Sequence, residues 1–325
     1  MSKRKGTKKN RALQTYHGRT GIRAFGYDLK KNWVMWLMIL PVLVYVIIFS
    51  YLPMGGIVLA FKNFNYRDGI LKSPWVGFSN FKFLASGGVL WRITRNTILY
   101  NIVFMIVDTV GQIAVAIMLN DISHKRFKKL NQSLMFLPYF ISFVLVQTIS
   151  YGIFSYEYGL LNNIVRSLGM DPINVYANPG AWPFILTFFH VWKGIGYGTV
   201  VYLAAITGIS AEYYEAAKVD GATRWQQIRS ITVPLLKPTI ITLTLFSVGK
   251  IMKGQFELFY QLVGRNGVVY STTDIIDTYV FRTIADQFNP GMSTAAGLYQ
   301  SLFGFVLIMT INTIIKKIQP DYALF

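Results

Sequence analysis

The sequence predicts an all-α integral membrane protein with six membrane-spanning helices. Three observations predict it. The 325 residues are 53% hydrophobic and only 14% charged, where a soluble domain carries about 25% charged residues. Six runs of about 20 apolar residues recur along the chain, the length that crosses a hydrocarbon core. Each run is continuously apolar and does not alternate, which fits helices and not barrel strands.

The elements follow in order. Residues 1–32 read as a basic cytoplasmic tail that holds ten of the 32 Lys and Arg. The formal charge of +18 is thus concentrated ahead of the first apolar run. That is the pattern of a tail beside an anionic leaflet, and it argues against a nucleic-acid partner. The first run, "WVMWLMILPVLVYVIIFSYL" (33–52), is longer than the apolar core of a signal peptide. "PMGG" follows it in place of a small-residue cleavage site, so it reads as a retained span. The other spans fall at about 97–119, 133–154, 182–206, 238–260 and 294–315, and residues 33–325 form one transmembrane domain. The chain has no cysteine, which excludes disulfides, thiolate metal sites and Cys nucleophiles.

The positive-inside rule orients the spans with both termini in the cytoplasm. With that orientation the inside segments carry 20 Lys and Arg and the outside segments 9. The first outside segment contains the aromatic stretch "SPWVGFSNFKFL" (73–84), suited to an interface.

The segment 207–237, between the fourth and fifth spans, is polar and patterned. Ser210 can cap a helix from Ala211, with Glu212 and Glu215 near its positive end. Gly221 suits the left-handed residue that ends such a helix. Thr223 and Gln226 stand at capping-box spacing for a second helix. Trp225, Ile228 and Ile231 give that helix an apolar stripe, and Pro234 and Pro238 are expected to break it before the fifth span. Local chemistry alone also fits a connector that packs only on its own bundle.

Glu215-Ala216-Ala217, Gly221, Ile231 and Pro234 stand at the spacing E-A-A-x3-G-x9-I-x-L-P, with Val233 where Leu is usual. This resembles the EAA motif of permease subunits of binding-protein-dependent ABC importers. "FLPYFIS" (136–142), "WKGIGYG" (192–198), "VYLAAI" (201–206) and "AAGLYQSLFGF" (295–305) extend the resemblance to carbohydrate permeases, closest to those for oligosaccharides and polysaccharide fragments. It runs from about residue 33 to the C-terminus. The resemblance implies a prokaryotic cell-membrane protein that forms half of an import pathway. It implies as partners two ATPase subunits, a second permease that is a different chain or a second copy of this one, and an extracytoplasmic substrate-binding protein. It implies that Glu215, Ala216, Ala217, Asp220, Gly221, Ile231 and Pro234 couple the chain to an ATPase. No G-x-x-x-x-G-K-[ST] phosphate loop is present, so ATP and Mg belong to the partner ATPase. The chain is expected to bind no cofactor or metal and to have no catalytic residues.

Charged groups in hydrocarbon are costly and usually face an interior or a pathway. Asp108, His190, Lys193, Lys250, Lys253, Gln255 and Glu257 fall within predicted spans. Lys250, Lys253 and Glu257 are spaced i, i+3 and i+7, so they are expected to share one helix face. As a bland alternative, Lys253 pairs with Glu257 and Asp108 with a lysine. As a substrate path, Gln147, Tyr151, Trp192, Lys193, Tyr197, Lys250, Lys253 and Glu257 combine hydrogen-bonding groups with aromatic rings, which suit a sugar. Gly194 and Gly198 have the spacing of a close helix contact. Rival readings are an ion-coupled secondary transporter, an ABC permease for a non-sugar solute, and a membrane-embedded enzyme for which no catalytic constellation stands out.

Overall fold

The computed structural model describes residues 22–318. Most of the basic tail predicted for 1–32, and the end of the chain after Ile318, lie outside the described residues. The chain divides into one unit ending at Val58 and a second beginning at Leu59.

In the first unit, α1 (Ile22–Lys31) is followed by α2 (Trp33–Val46). Asp28 accepts hydrogen bonds from the Asn32 amide (2.6 Å) and the Trp36 indole (3.3 Å). Phe25 meets Trp36 edge-on at 5.2 Å. The helix continues past Val46 through a wide turn (Ile47–Tyr51) and a tight one (Leu52–Phe61). An 18-residue window within Trp33–Phe61 has a mean hydropathy of 2.4, and none of Trp33–Val46 is buried. A helix apolar on every side needs lipid or protein around it.

The second unit contains α3 (Val89–Asp121), α4 (Lys125–Phe140), α5 (Phe143–Phe154), α6 (Leu160–Ser167) and α7 (Trp182–Thr207). Then come α8 (Ala211–Val219), α9 (Arg224–Gln227), α10 (Val233–Val248), α11 (Phe256–Val263), α12 (Ile276–Ala285) and α13 (Pro290–Ile318). Among the described residues no strand forms. Among the described residues of both units, five helical stretches are long and apolar enough to cross a membrane, and α4 with α5 makes a sixth if that bent pair is one span.

Helix α7 is the centre of the second unit. A share of 33% of its apolar window is buried, more than in any other candidate span. Lipid tails are as apolar as leucine, so apolar burial alone does not drive such helices together; close packing does. Small residues permit it here. A Cβ on Gly196 would collide with the Met135 backbone carbonyl of α4, and one on Gly198 with the Gln112 side chain of α3. Gly194, the other half of the predicted contact, has open space around it. The close approach therefore falls at Gly196 and Gly198. Three apolar clusters complete the unit, around Trp182, Phe189 and Phe259, around Ile93, Ile276 and Ala295, and around Tyr202, Leu203 and Leu236.

Two predicted spans are not straight. The third bends by 94° between α4 and α5. Pro138 weakens the end of α4, and Ser142 caps the start of α5 by accepting from Leu145 N–H. The fifth does not run from 238 to 260 as one helix. Helix α10 ends at Val248, residues 249–255 are unwound, and α11 starts at Phe256. Lys250 and Lys253 therefore sit in the gap and share no helix face with Glu257.

Helix α10 is also continuous with α9, contrary to the break expected at Pro234 and Pro238. A wide π-type turn at Ile228–Thr232 joins them. Proline clashes with the carbonyl four residues back in a regular helix. The wider turn ahead of Pro234 gives that carbonyl room, and π-turns absorb such insertions without ending a helix.

Candidate functional site

Two regions gather the candidate residues. The first is the polar segment after α7. Ser210 Oγ accepts from Glu212 N–H at 3.3 Å and starts α8. Gly221 has φ +76°. Ala222 N–H bonds to Ala217 C=O (2.8 Å) and Gly221 N–H to Lys218 C=O (3.1 Å). That pair of bonds is a Schellman stop, which needs a residue at positive φ. Thr223 and Gln226 then form the capping box that opens α9, with Thr223 N–H donating to Gln226 Oε1 at 2.7 Å.

No residue of α8 is buried. Glu215 and Ala216 are exposed and Ala217 is half-buried; Asp220, Gly221 and Pro234 are exposed and Ile231 is half-buried. The segment is nonetheless anchored. Tyr214 Oη and Thr232 Oγ1 share a hydrogen bond of 2.9 Å, which ties α8 to the turn below α9. Arg224 makes an ion pair with Asp121, the last residue of α3, and its Nε donates to Oδ2 at 3.1 Å. Neither tie carries a motif; only the presence of polar groups near two helix ends hinted at them. Trp225 departs from the expected stripe, being 69% exposed, while Gln227 and Thr232 are buried. The π-turn adds a residue to the helical register and rotates the faces on either side of it.

The second region is a cavity of about 600 Å³ beside α7. Asp108 and Gln112 of α3, Tyr139 of α4, Tyr197 of α7, Ser247 of α10, and Lys250 and Gln255 of the unwound segment line it. The rings of Tyr139 and Tyr197 stack at 5.1 Å. His190 is buried at the edge of this group. One ring nitrogen meets Gln255 Oε1 (3.0 Å) and the other Asp108 Oδ2 (2.9 Å). Phe104 stacks on its ring at 3.9 Å. Asp108 thus pairs with His190, not with a lysine, and the histidine that looked isolated in sequence links α3 to the unwound segment. Asp108 Oδ1 is buried without a partner.

The unwound segment is held by distant side chains. Gln300 donates to Met252 C=O (2.6 Å), Asn101 to Lys253 C=O (3.2 Å), and Gly254 N–H donates to Asp277 Oδ2 (2.7 Å). A Cβ on Gly254 would lie 2.8 Å from that same Asp277 oxygen, so only glycine fits. Burial raises the Asp277 pKa, and the bonds from Gly254 and Gln300 oppose the shift. Loops without helical bonds are tolerated at membrane depth where protein or a cavity supplies partners.

The predicted path residues separate. Tyr197 and Lys250 reach the cavity. Lys193 does not serve it as a free charge. Its ammonium donates to the carbonyls of Tyr139 (2.6 Å), Pro138 (3.3 Å) and Ile141, and lies 4.9 Å from the centre of the Phe143 ring. It caps the broken end of α4, where carbonyls have no helical donor. Trp192 lies on the other side of α7. Gln147 and Tyr151 are exposed on α5. Lys253 and Glu257 are exposed, and no ion pair joins them among the described residues. Asp108, Gln112, Tyr139, Ser247 and Gln255 also line it; of these, only Asp108 and Gln255 stood out in the sequence, as polar groups inside spans.

Comparison with known proteins decides the class. Residues 20–320 match the family described as binding-protein-dependent transport system inner membrane component. The chain belongs to that family. It is a multi-pass membrane component of a transport system, not a catalytic enzyme. The permease is 32% identical over 293 residues to protein LplB of Bacillus subtilis (strain 168), covering 90% of this chain and 92% of that one. It is 34% identical over 287 residues to the polygalacturonan/rhamnogalacturonan transport system permease protein YteP of the same organism, covering 88% and 89%. Its fold is similar to a chain of a bacterial ABC transporter that imports the acidic polysaccharide alginate. The TM-score is 0.81, with 32% identity, over 91% of the permease and 99% of that chain. A second alginate transporter structure, in complex with an alginate pentasaccharide-bound periplasmic protein, gives a TM-score of 0.79.

Proposed function

We propose that this permease forms half of the pathway of an ATP-driven importer of oligosaccharides, and of acidic ones in particular. The observation that carries the reading is the near full-length likeness to a chain of the alginate importer. The cavity supports it. Stacked Tyr139 and Tyr197 offer apolar faces to sugar rings, and Gln112, Ser247 and Gln255 offer hydrogen-bonding groups. Lys250 has no acidic partner among the described residues and supplies positive charge to a carboxylated sugar.

In this reading a second permease completes the pathway and an extracytoplasmic binding protein delivers the sugar. Two ATPase subunits bind ATP and Mg. Helix α8 seats against an ATPase through Glu215, with Ala216 and Ala217 allowing close approach and Gly221 fixing the turn. Asp220, Ile231 and Pro234 hold the geometry of the helix pair. Closure of the ATPases moves α8, and the Tyr214–Thr232 and Arg224–Asp121 ties pass the motion to α10 and α3. The spans then alternate between outward and inward access.

The test is ATP-driven uptake by the importer reconstituted with its co-expressed partners. Oligogalacturonates are expected to be taken up in preference to neutral maltooligosaccharides of equal length, and Lys250→Ala is expected to reduce that preference without loss of assembly. Equal uptake of both sugars, unchanged by the substitution, would remove the acidic part of the reading. Uptake without ATP would remove the whole of it.

A further inference from the structure

Helix α7 turns a second face away from the cavity, and a groove lies there against α3. Two adjoining hollows of about 370 and 590 Å³ share Val103, Pro183 and Thr187 as walls. The first also has Arg95 and Asn96 at its rim, and the second is bounded by apolar side chains such as Val107, Phe188 and Trp192. Charge is therefore confined to one end. From Arg95 to Val107 along α3 the rise is about 18 Å, against about 15 Å for the hydrocarbon of one leaflet. The groove starts near the first turns of α3 and α7 and ends near the middle of α3. A transmembrane helix of a partner would need a contact that runs on through the second leaflet.

Arg95 is free to receive an anion. Its bonds go to neutral acceptors, Asn96 Oδ1 and the Ser271 carbonyl (3.1 Å each). No carboxylate pairs with it among the described residues, whereas neighbouring Arg92 is committed to buried Asp274 at 3.4 Å. A cation at the interfacial end of an apolar slot one leaflet deep matches an amphiphile with its charge at one end. We propose that the groove holds an anionic phospholipid, its phosphate at Arg95 and one acyl chain between α3 and α7.

The absence of native cysteine allows one reporter to be placed cleanly. Val103→Cys, labelled with bimane, puts a fluorophore in the groove of this otherwise cysteine-free chain, within an importer whose partner subunits have had any cysteines replaced. The complex is then placed in lipid nanodiscs with increasing fractions of brominated phosphatidylglycerol or brominated phosphatidylcholine. Half-maximal quenching is expected at an about fivefold lower fraction of the anionic lipid, the effect of one interfacial cation. Arg95→Gln is expected to merge the two curves, and Arg95→Lys to keep them apart. Coincident curves with Arg95 intact would overturn the proposal without reference to any variant. A preference that survives Arg95→Gln would overturn the headgroup assignment. Absence of quenching by either lipid would show that protein, such as the second permease, fills the groove.

Discussion

The segment 207–237 and the unwound segment 249–255 both interrupt helical structure, and they do so by opposite means. In the first, the caps at the helix ends come from residues a few positions away. Ser210, Gly221, Thr223 and Gln226 stop and start the helices. In the second, short local turns are supplemented from elsewhere in the chain: Asn101, Asp277 and Gln300 meet its backbone and His190 meets the Gln255 side chain. Local capping leaves a helix outward, exposed and available to a partner. Long-range stapling fixes a loop inside the bundle and presents its side chains to a cavity. In the proposed importer that difference separates the element that docks on the ATPase from the element that lines the path.

Substitutions can break or sharpen this contrast. The largest effect is expected from Lys193, whose ammonium satisfies three carbonyls at the bend of the third span. A carbonyl left without a donor at membrane depth has no water to replace it, so Lys193→Met is expected to lower the melting temperature sharply in detergent. A melt like that of the unsubstituted protein would show that the bend holds itself. Gln300→Leu removes the bonds to Met252 and Asp277 and is expected to cost about 1–3 kcal/mol, with sugar transport lost beyond what the melt explains. Thr223→Ala removes a cap worth about 1 kcal/mol. It is expected to leave the melt nearly unchanged while ATP-driven uptake falls, because the exposed helix pair adds little to the core. If Thr223→Ala instead matched Gln300→Leu in the melt, the contrast would collapse.

The smallest effect expected is in pH. Burial raises the folded-state pKa of Asp277 above its unfolded value. The folded protein then binds the proton first, so this group's contribution favours folding as pH falls through the raised pKa towards the ordinary carboxylate range and is lost as pH rises back through it. The change in melting temperature over that window is expected to shift against the unsubstituted protein in Asp277→Asn. Parallel curves would place Asp277 in ordinary solvent.

The same contrast decides what was legible in the sequence. The helix from Ala211, the stop at Gly221 and the capping box at Thr223 rest on neighbours along the chain, so residue types at fixed spacing revealed them. The apolar runs revealed the membrane and most of the spans. The unwinding after Val248 was hidden. "FSVGKIMKGQFELF" (246–259) is apolar enough to read as helix, and the donors that release its carbonyls lie up to about 150 residues away. Lys193 looked like a pathway charge because its three carbonyl partners have no side-chain signature. His190 looked isolated because Asp108 and Gln255 lie on other elements. Pro234 and Pro238 looked like breakers because a π-turn leaves no clear mark in composition.

The central claim is that the exposed helix pair transmits ATPase motion and does not merely connect two spans. Gly221→Val tests it most directly, since a β-branched residue is badly strained at φ +76° while open space around the site excludes a clash. The measurement is paired ATP hydrolysis and sugar uptake by the variant importer, purified with its partners and reconstituted. The account predicts a permease that inserts normally, with hydrolysis no longer linked to uptake and uptake reduced about five- to thirtyfold, the equivalent of the roughly 1–2 kcal/mol cost of forcing a left-handed residue. Uptake and hydrolysis at the unsubstituted level, still coupled, would contradict it and leave residues 207–237 a connector.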